Sequence, residues 1–546
     1  MPSPSVIIVG AGAGGLATAA RLAQQGCKVK VFEKQGFVGG RCSLISTKGY
    51  RFDQGPSLLL MPEIFEETFQ DLKTSLSEEN LKILKCDLNY YIWFPDGDTV
   101  ELSTDLSRLK KEVERHEGPN SFSRLCAFLA EAGRNYELSL TYVLRRDYPD
   151  FFALLRPDFL WAMLWMRPWS TVYGRVSRYF HSDKMRRVWT FASMYMGMSP
   201  YKSPGTYSLL QYSELVDGIG YPEGGFHTIM EALKHIGERS GVQYFLDSPV
   251  RSVILDKDNR SARGICLDSG EELYADLVVL NADLVYAYNE LLPSSREACS
   301  LRSRPTSCSS ISFFWAFDEV LPHLKTHNIF LAEEYQSSFD SIFDDHSIPE
   351  EPSFYVNIPS RVDPTAAPVG KDAVIVLVPV GHLVPPTTSC PAQDWDILVE
   401  KTRRTVLNAI EHRTGLKDLE RKIVFEKNET PLTWKSKFNL DRGAILGLSH
   451  SFSNVLTFRP KNKHPNIESL YFVGASTHPG TGVPVCLAGA KLVSERIMRD
   501  YRTGESEPKG WMLKILIAIA TLLLAIFSWN ASEMGMGKLS YRSIGF

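Results

Sequence analysis

Val6-Ile7-Ile8-Val9-Gly10-Ala11-Gly12-Ala13-Gly14-Gly15-Leu16 is the stretch that decides the fold. Four apolar residues read as a short buried strand, and Leu16 to Gln25 continues as an alanine-rich helix. Between them Gly10, Gly12 and Gly15 keep the spacing GxGxxG. The first glycine permits the tight turn, the second lets the backbone approach a pyrophosphate, and the third allows close helix–strand packing. Diphosphate charge would then sit on free N–H groups at the helix start. Val29 to Phe32 forms the second strand and ends at Glu33, placed to accept hydrogen bonds from a ribose diol. The pattern predicts an α/β protein with a Rossmann-type domain. By itself it leaves NAD and FAD both open.

A chain of 546 residues can bury a large core and divide into several domains. Its net charge of -3 argues against nucleic-acid binding, which needs a concentrated basic face. The 9 cysteines contain no CxxC pair, which favours a reducing compartment and gives no metal site. Met1-Pro2-Ser3-Pro4 runs straight into the first strand, so no signal or transit peptide is expected.

From about Pro62 to Tyr201 the pattern is largely helical. Its middle, Phe151 to Trp169, is rich in aromatics, broken by Pro157 and Pro168, and carries Arg156 and Arg167. Those features exclude an ordinary spanning helix. The segment reads as a core or cavity wall, or as a lip that dips into one leaflet and admits an apolar substrate. A β meander follows: Val250 to Leu255, Ala262 to Leu267 and Glu271 to Tyr274, then a fully buried strand to Leu280 before Asn281-Ala282-Asp283. Ser309 to Phe317, Phe354 to Ile358 and Val374 to Val378 suggest a second sheet. A last strand–turn–helix runs from Leu470 to Met498, so the nucleotide domain is sewn from the start, middle and end of the chain.

Gly39-Gly40-Arg41 resembles the second signature of a flavoprotein superfamily that includes amine oxidases, Rab-GDP-dissociation inhibitors and carotenoid desaturases. The glycines would let the backbone pass close to a cofactor, and Arg41 offers a guanidinium to phosphate, its alternative being a surface salt bridge. Further blocks narrow the resemblance. Arg51 to Ser57, Met194 to Pro200, Gly205 to Ser208, Tyr221 to Gly225, Asn281 to Asp283 and Gly474 to Pro484 are similar to blocks of phytoene desaturases of the bacterial and fungal type, in family order. The resemblance implies FAD, held by Gly10, Gly12, Gly15, Glu33, Gly39, Gly40, Arg41, Val250, Gly474, Gly482, Val483 and Pro484. Val250 would bring its backbone near the adenine. Many FAD proteins carry Gly-Asp where this chain has Gly474-Ala475, so backbone N–H groups would replace the acidic contact to the ribityl chain.

The activity implied is stepwise dehydrogenation of 15-cis-phytoene, a long apolar polyene, in carotenoid biosynthesis. A hydride leaves an allylic carbon for flavin N5, and a proton leaves the adjacent carbon. Electrons would pass on to a quinone or oxygen. Other readings are a carotenoid isomerase, a desaturase of another apolar metabolite, a prenyl-binding carrier or an amine oxidase. No catalytic residue stands out. Tyr221 and Glu223 are candidates for the cavity before the flavin ring, although Tyr221 to Gly225 also reads as a plain turn. His478 would move protons or orient its loop, and Asp53 would line the site or cap a turn.

The C-terminus is exceptional. From Met512 to Ser528 the one charge is Lys514, and Trp511 and Trp529 bracket the run. The span of roughly 27 Å matches a bilayer's hydrocarbon core, so a transmembrane helix is expected over 511–529, the alternative being a buried core helix. Arg499, Arg502, Lys509 and Lys514 precede it, against Lys538 and Arg542 after it, which places the catalytic part in the cytosol, at the endoplasmic reticulum membrane. The expected division is FAD-binding parts at 1–75, 216–300 and 436–502, a helical membrane-associating region at 76–215, and a substrate domain at 301–435. A linker at 503–510, the spanning helix at 511–529 and a tail at 530–546 complete it.

Overall fold

A computed structural model describes residues 3–385 and 393–503. The expected spanning helix at 511–529, its tail and nearly all of the linker lie outside the described residues. Among the described residues no helix is long and apolar enough to cross a membrane.

Five parallel strands form the first sheet, in the order Leu470–Phe472, Leu277–Leu280, Ser5–Val9, Lys28–Phe32, Gln243–Phe245. Its strands come from the beginning, middle and end of the chain, and the central apolar runs Ser5–Val9 and Leu277–Leu280 are buried almost throughout, as in a parallel sheet covered by helices. The helix Ala13–Gln24 covers it from one side, packed against His227–Arg239 and Val483–Thr503. The expected meander is present as an antiparallel sheet of Val250–Leu255, Ala262–Leu267 and Glu272–Tyr274.

A seven-stranded sheet forms the second layer, in the order Ile423–Glu429, Ser309–Phe317, Asp372–Val380, Phe354–Asn357, His327–Phe330, Tyr90–Trp93, Thr99–Leu102. Ser309–Phe317 is buried along its whole length. Ile311, Phe313, Trp315 and Phe317 fill one side of the sheet, while Phe314 and Ala316 pack with Tyr50 and Phe52 on the other. The period of two is that of a strand covered on both faces.

The helical reading of Pro62 to Tyr201 needs correction at its start. Ile83–Lys85, Tyr90–Trp93 and Thr99–Leu102 are strands, and the last two form the edge hairpin of the seven-stranded sheet. Aromatic and β-branched residues around the Pro95-Asp96-Gly97 turn favour this hairpin, with Tyr90 and Ile92 buried on one face. The hairpin docks in parallel on His327–Phe330, a pairing too distant in sequence for periodicity to show. The remainder is helical, including Leu106–Glu117, Ser121–Ser139 and Pro157–Met166.

Pro157–Met166 divides its faces. Phe159, Ala162 and Met166 point into the protein, whereas Trp161 and Trp165 are 57% and 44% exposed, with Trp169 beyond at 65%. Arg134 stacks over the Trp165 ring at 5.2 Å, and Phe151, Phe452 and Phe458 extend the apolar surface. The segment therefore supplies core on one face and an exposed aromatic patch on the other.

Candidate functional site

The glycine turn is shaped by close approach. Gly10 takes φ +100° and donates to Phe32 O at 2.8 Å. A Cβ on Gly15 would lie 2.2 Å from Gly10 O, so helix and strand touch where only hydrogen fits. The helix Ala13–Gln24 has neither a side-chain cap nor an acidic residue in its first turn. Its N–H groups and positive dipole end are left for an anion. Gly39 donates to Ala11 O at 2.7 Å and bridges to Gly12, which brings the second glycine pair, Gly39-Gly40, across the mouth of the first turn.

Glu33 is buried at the end of its strand. Ala11 N–H donates to its Oε2 at 2.8 Å and Gln35 N–H to its Oε1 at 2.9 Å. Burial pushes its carboxyl above the usual range, and the two N–H donors oppose that shift. Arg41 donates to Ile445 O and has no carboxylate within ion-pair distance among the described residues. Burial lowers its pKa, opposed by nearby Cys486 and Asp283. Asp283 is itself raised by burial, to about 6, and accepts from Tyr286 N–H at 3.0 Å. On the opposite wall Gly474 and Gly482 take φ +135° and +103°, and the helix Val483–Thr503 begins at Val483-Pro484.

These elements surround one cavity of about 1030 Å³. Gly10, Gly12, Glu33, Gly39, Gly40, Arg41, Val250, Gly474, Gly482, Val483 and Pro484 all line it. Gly15 lies behind the lining, in the helix–strand contact. Past the cradle the wall becomes aliphatic and aromatic, with Leu58, Leu60, Phe65, Phe191, Met194, Tyr195, Leu331, Phe339 and Tyr355. None of the Trp161–Trp169 segment takes part, which corrects the cavity-wall reading.

Three expected cavity residues stand elsewhere. Glu223 is exposed and pairs with Lys82 at 3.2 Å, because its turn faces solvent. Tyr221 is fully buried behind the wall and donates to Asp53 Oδ2 at 2.6 Å, while Phe226 N–H donates to Oδ1. Asp53 thus ties two segments together and, through burial, has its pKa raised to about 6. His478 donates from Nε2 to Arg146 O at 2.7 Å and meets Tyr148 edge-on. It orients the loop from outside the cavity. Beside it Arg459, fully buried, donates to the carbonyls of Leu448, Ser449, Asn454, Ala475 and Thr477, clamping that loop. Sequence reading missed Arg459. It also missed Tyr195 and Tyr355 as cavity walls, although Tyr195 lies in the Met194 to Pro200 block.

The donor set fits a dinucleotide. Two helix starts and glycine turns offer N–H groups to a diphosphate, Arg41 offers an unpaired cation, and Glu33 offers acceptor oxygens to a diol. Joined to an apolar chamber, such a cradle defines a nucleotide-dependent oxidoreductase acting on a hydrophobic substrate. The chain matches the family described as flavin containing amine oxidoreductase over residues 13–498. It is 54% identical over 510 residues to a phytoene desaturase of Fusarium fujikuroi, covering 91% of this chain and 89% of that protein. A phytoene desaturase of Phycomyces blakesleeanus is 46% identical over 564 residues, covering 99% and 96%. In fold it is similar to the crystal structure of an oxidoreductase from Methanosarcina mazei, with a TM-score of 0.61 at 18% identity, covering 90% of this chain and 100% of that one. The chain belongs to the flavin-containing amine oxidoreductase family and, within it, to the phytoene desaturases. Its cofactor is FAD, and it is an oxidoreductase acting on CH–CH groups.

Proposed function

We propose that this chain desaturates 15-cis-phytoene in successive steps, working from the surface of a membrane that stores the substrate. The observation that carries this reading is one cavity joining the glycine cradle to an aliphatic and aromatic chamber. A polyene has no polar handle, so binding must rest on shape and on apolar area removed from water, at about 25 cal/mol per Å². Bound FAD supplies the acceptor for hydride. Gly39, Gly40 and Arg41 would hold its diphosphate near the Ala13–Gln24 helix start and Glu33 its ribose, while the Arg459-clamped loop from Gly474 to Pro484 keeps the far wall fixed. Leu58, Leu60, Phe191 and Phe339 exclude water and orient the chain of carbons.

The exposed Trp161, Leu164, Trp165 and Trp169 supply the docking face, committed to a lipid bilayer. Large indoles at a surface favour the headgroup level, and Arg134, Arg156 and Arg167 beside them favour anionic lipid. Arg496, on the last described helix, pairs with Asp147 at 3.0 Å, so that helix packs near the patch. A spanning segment at 511–529 would hold the docking face on the cytosolic surface of the endoplasmic reticulum, with quinone or oxygen as final electron acceptor. The test is full-length, FAD-loaded protein in liposomes containing phytoene. Products of stepwise lower mass and longer-wavelength absorption support the reading. Phytoene that persists, or changes isomer without change of mass, overturns it.

A further inference from the structure

Desaturation releases a proton as well as a hydride, and an apolar chamber needs a path for it. Several hydroxyls interrupt the apolar chamber wall, among them those of Tyr335, Tyr355 and Tyr195, and the last of these leads to a buried carboxyl. Tyr195 lines the cavity with its hydroxyl buried beside that of Tyr90, in no regular hydrogen bond of its own. The two rings stack with centroids 6.4 Å apart. Behind them Tyr90, fully buried, donates to Glu214 Oε1 at 3.1 Å. Glu214 sits in the irregular turn Ser213–Asp217, and its own carbonyl accepts from the Asn89 side chain. It is buried with no ion-pair partner among the described residues, a costly placement for a carboxyl. Tyr90 and Tyr195 are the titratable groups that face it, and no cation shifts it.

We propose that Tyr195, Tyr90 and Glu214 form the outlet for the proton that desaturation takes from carbon. This rests on the desaturase reading above. Tyr195 Oη accepts the proton from the carbon adjacent to the one losing hydride, and passes its own proton to Tyr90 Oη. Tyr90 passes its proton to the Glu214 carboxylate, which ends as a carboxylic acid. The electron pair of the broken C–H bond becomes the new double bond, and the other pair leaves with the hydride to FAD. Tyr195 touches substrate; Tyr90 and Glu214 act through it. Burial raises Glu214 to about 8, which gives a base matched to the cytosol yet neutral most of the time, easing its burial.

The test compares full-length wild type, Glu214→Gln and Tyr195→Phe, each FAD-loaded in phytoene liposomes. Wild-type kcat should climb with pH and level off above about 8. Both variants should lose about 100-fold in kcat, the usual scale for a lost proton relay, with flavin content and KM within threefold and no pH-dependent climb. A second readout needs no turnover: flavin-free wild type at neutral pH should show an infrared band of a buried protonated carboxyl that is absent from E214Q. Tyr195→Phe removes a hydroxyl from the cavity wall without burdening the fold, so it decides the matter even if E214Q misfolds. Tyr195→Phe with wild-type kcat and pH profile overturns the relay and leaves the functional reading intact. Wild type that leaves phytoene unchanged overturns both.

Discussion

Replacing Gly15 by alanine sets two local effects against each other, and the structure decides the winner. Alanine is favoured over glycine inside a helix by about 1 kcal/mol. The new methyl, however, would stand 2.2 Å from Gly10 O and 2.8 Å from Asn281 Oδ1. The nearer atom is a backbone carbonyl of the glycine turn and cannot swing aside as a flexible side chain could. To reach ordinary contact the helix start must retreat by about 1 Å, and overpacking of this kind costs about 1–3 kcal/mol. A net stability loss of about 0–2 kcal/mol follows. The larger consequence is for the cofactor, because retreat carries the first-turn N–H groups away from the diphosphate. Losing one hydrogen bond to a charged group is worth about 1.5–3 kcal/mol, or about 10- to 100-fold in FAD affinity. Flavin-fluorescence titration of the apoprotein, paired with thermal melts, measures both effects. Gly97→Ala serves as control: it sits in the hairpin turn at φ +83° with nothing within 4 Å of an added Cβ. It should cost some stability through backbone strain and leave FAD affinity unchanged. Gly15→Ala with wild-type affinity would refute the cradle as drawn.

Glu33→Gln leaves one acceptor oxygen where two backbone N–H groups now donate, so FAD affinity should fall at least about tenfold, read by the same titration. Joint Trp161→Ser and Trp165→Ser should reduce sedimentation with anionic liposomes several-fold while FAD content stays at the wild-type level, since both indoles lie outside the cavity. Stability should peak near pH 6.5. Glu214 rises from its usual 4.5 to about 8, so the native state favours its protonated form; that stabilisation is whole below 4.5 and is lost as pH climbs through 8. Buried His327, His382 and His464 shift the other way, to about 3, 4 and 4, and cost stability as pH falls below 6.5. Between pH 6.5 and 8 the stability of the flavin-free protein, read from denaturant melts, should therefore fall by about 2 kcal/mol more than that of Glu214→Gln.

What the sequence made legible was whatever depends on neighbours along the chain. Gly10 to Glu33 states its strand, turn and helix within one unit, and the all-buried run of Ser309–Phe317 is a strand by length and composition. The hairpin at Tyr90–Leu102 was read as part of a helical region, because its place is set by pairing with His327–Phe330 far downstream. Tyr221 and Glu223 illustrate the same limit at the site. Adjacent residues of one turn were expected in the cavity together; one is held behind the wall by Asp53 and the other faces solvent. Arg459 gave no local signal either, since its partners are five carbonyls brought to it only by folding. The transmembrane reading of 511–529 concerns residues beyond those described.

The silence about catalytic residues has a physical origin. When a cofactor accepts hydride and the substrate is a hydrocarbon, the protein needs no nucleophile, metal or carboxylate pair, which are the patterns that sequence displays openly. Its remaining task is to move one proton per step out of an apolar space. That task favours hydroxyls and a buried acid spread over distant segments: Tyr195 from the helical region, Tyr90 from the strand next to the sheet edge, Glu214 from an irregular turn. Each is individually unremarkable in sequence, and a tyrosine among aromatics reads as core. Only their convergence distinguishes them. A buried acid with no cation nearby costs stability that a purely structural wall could avoid with a leucine, so its placement beside the chamber is best accounted for by proton transfer.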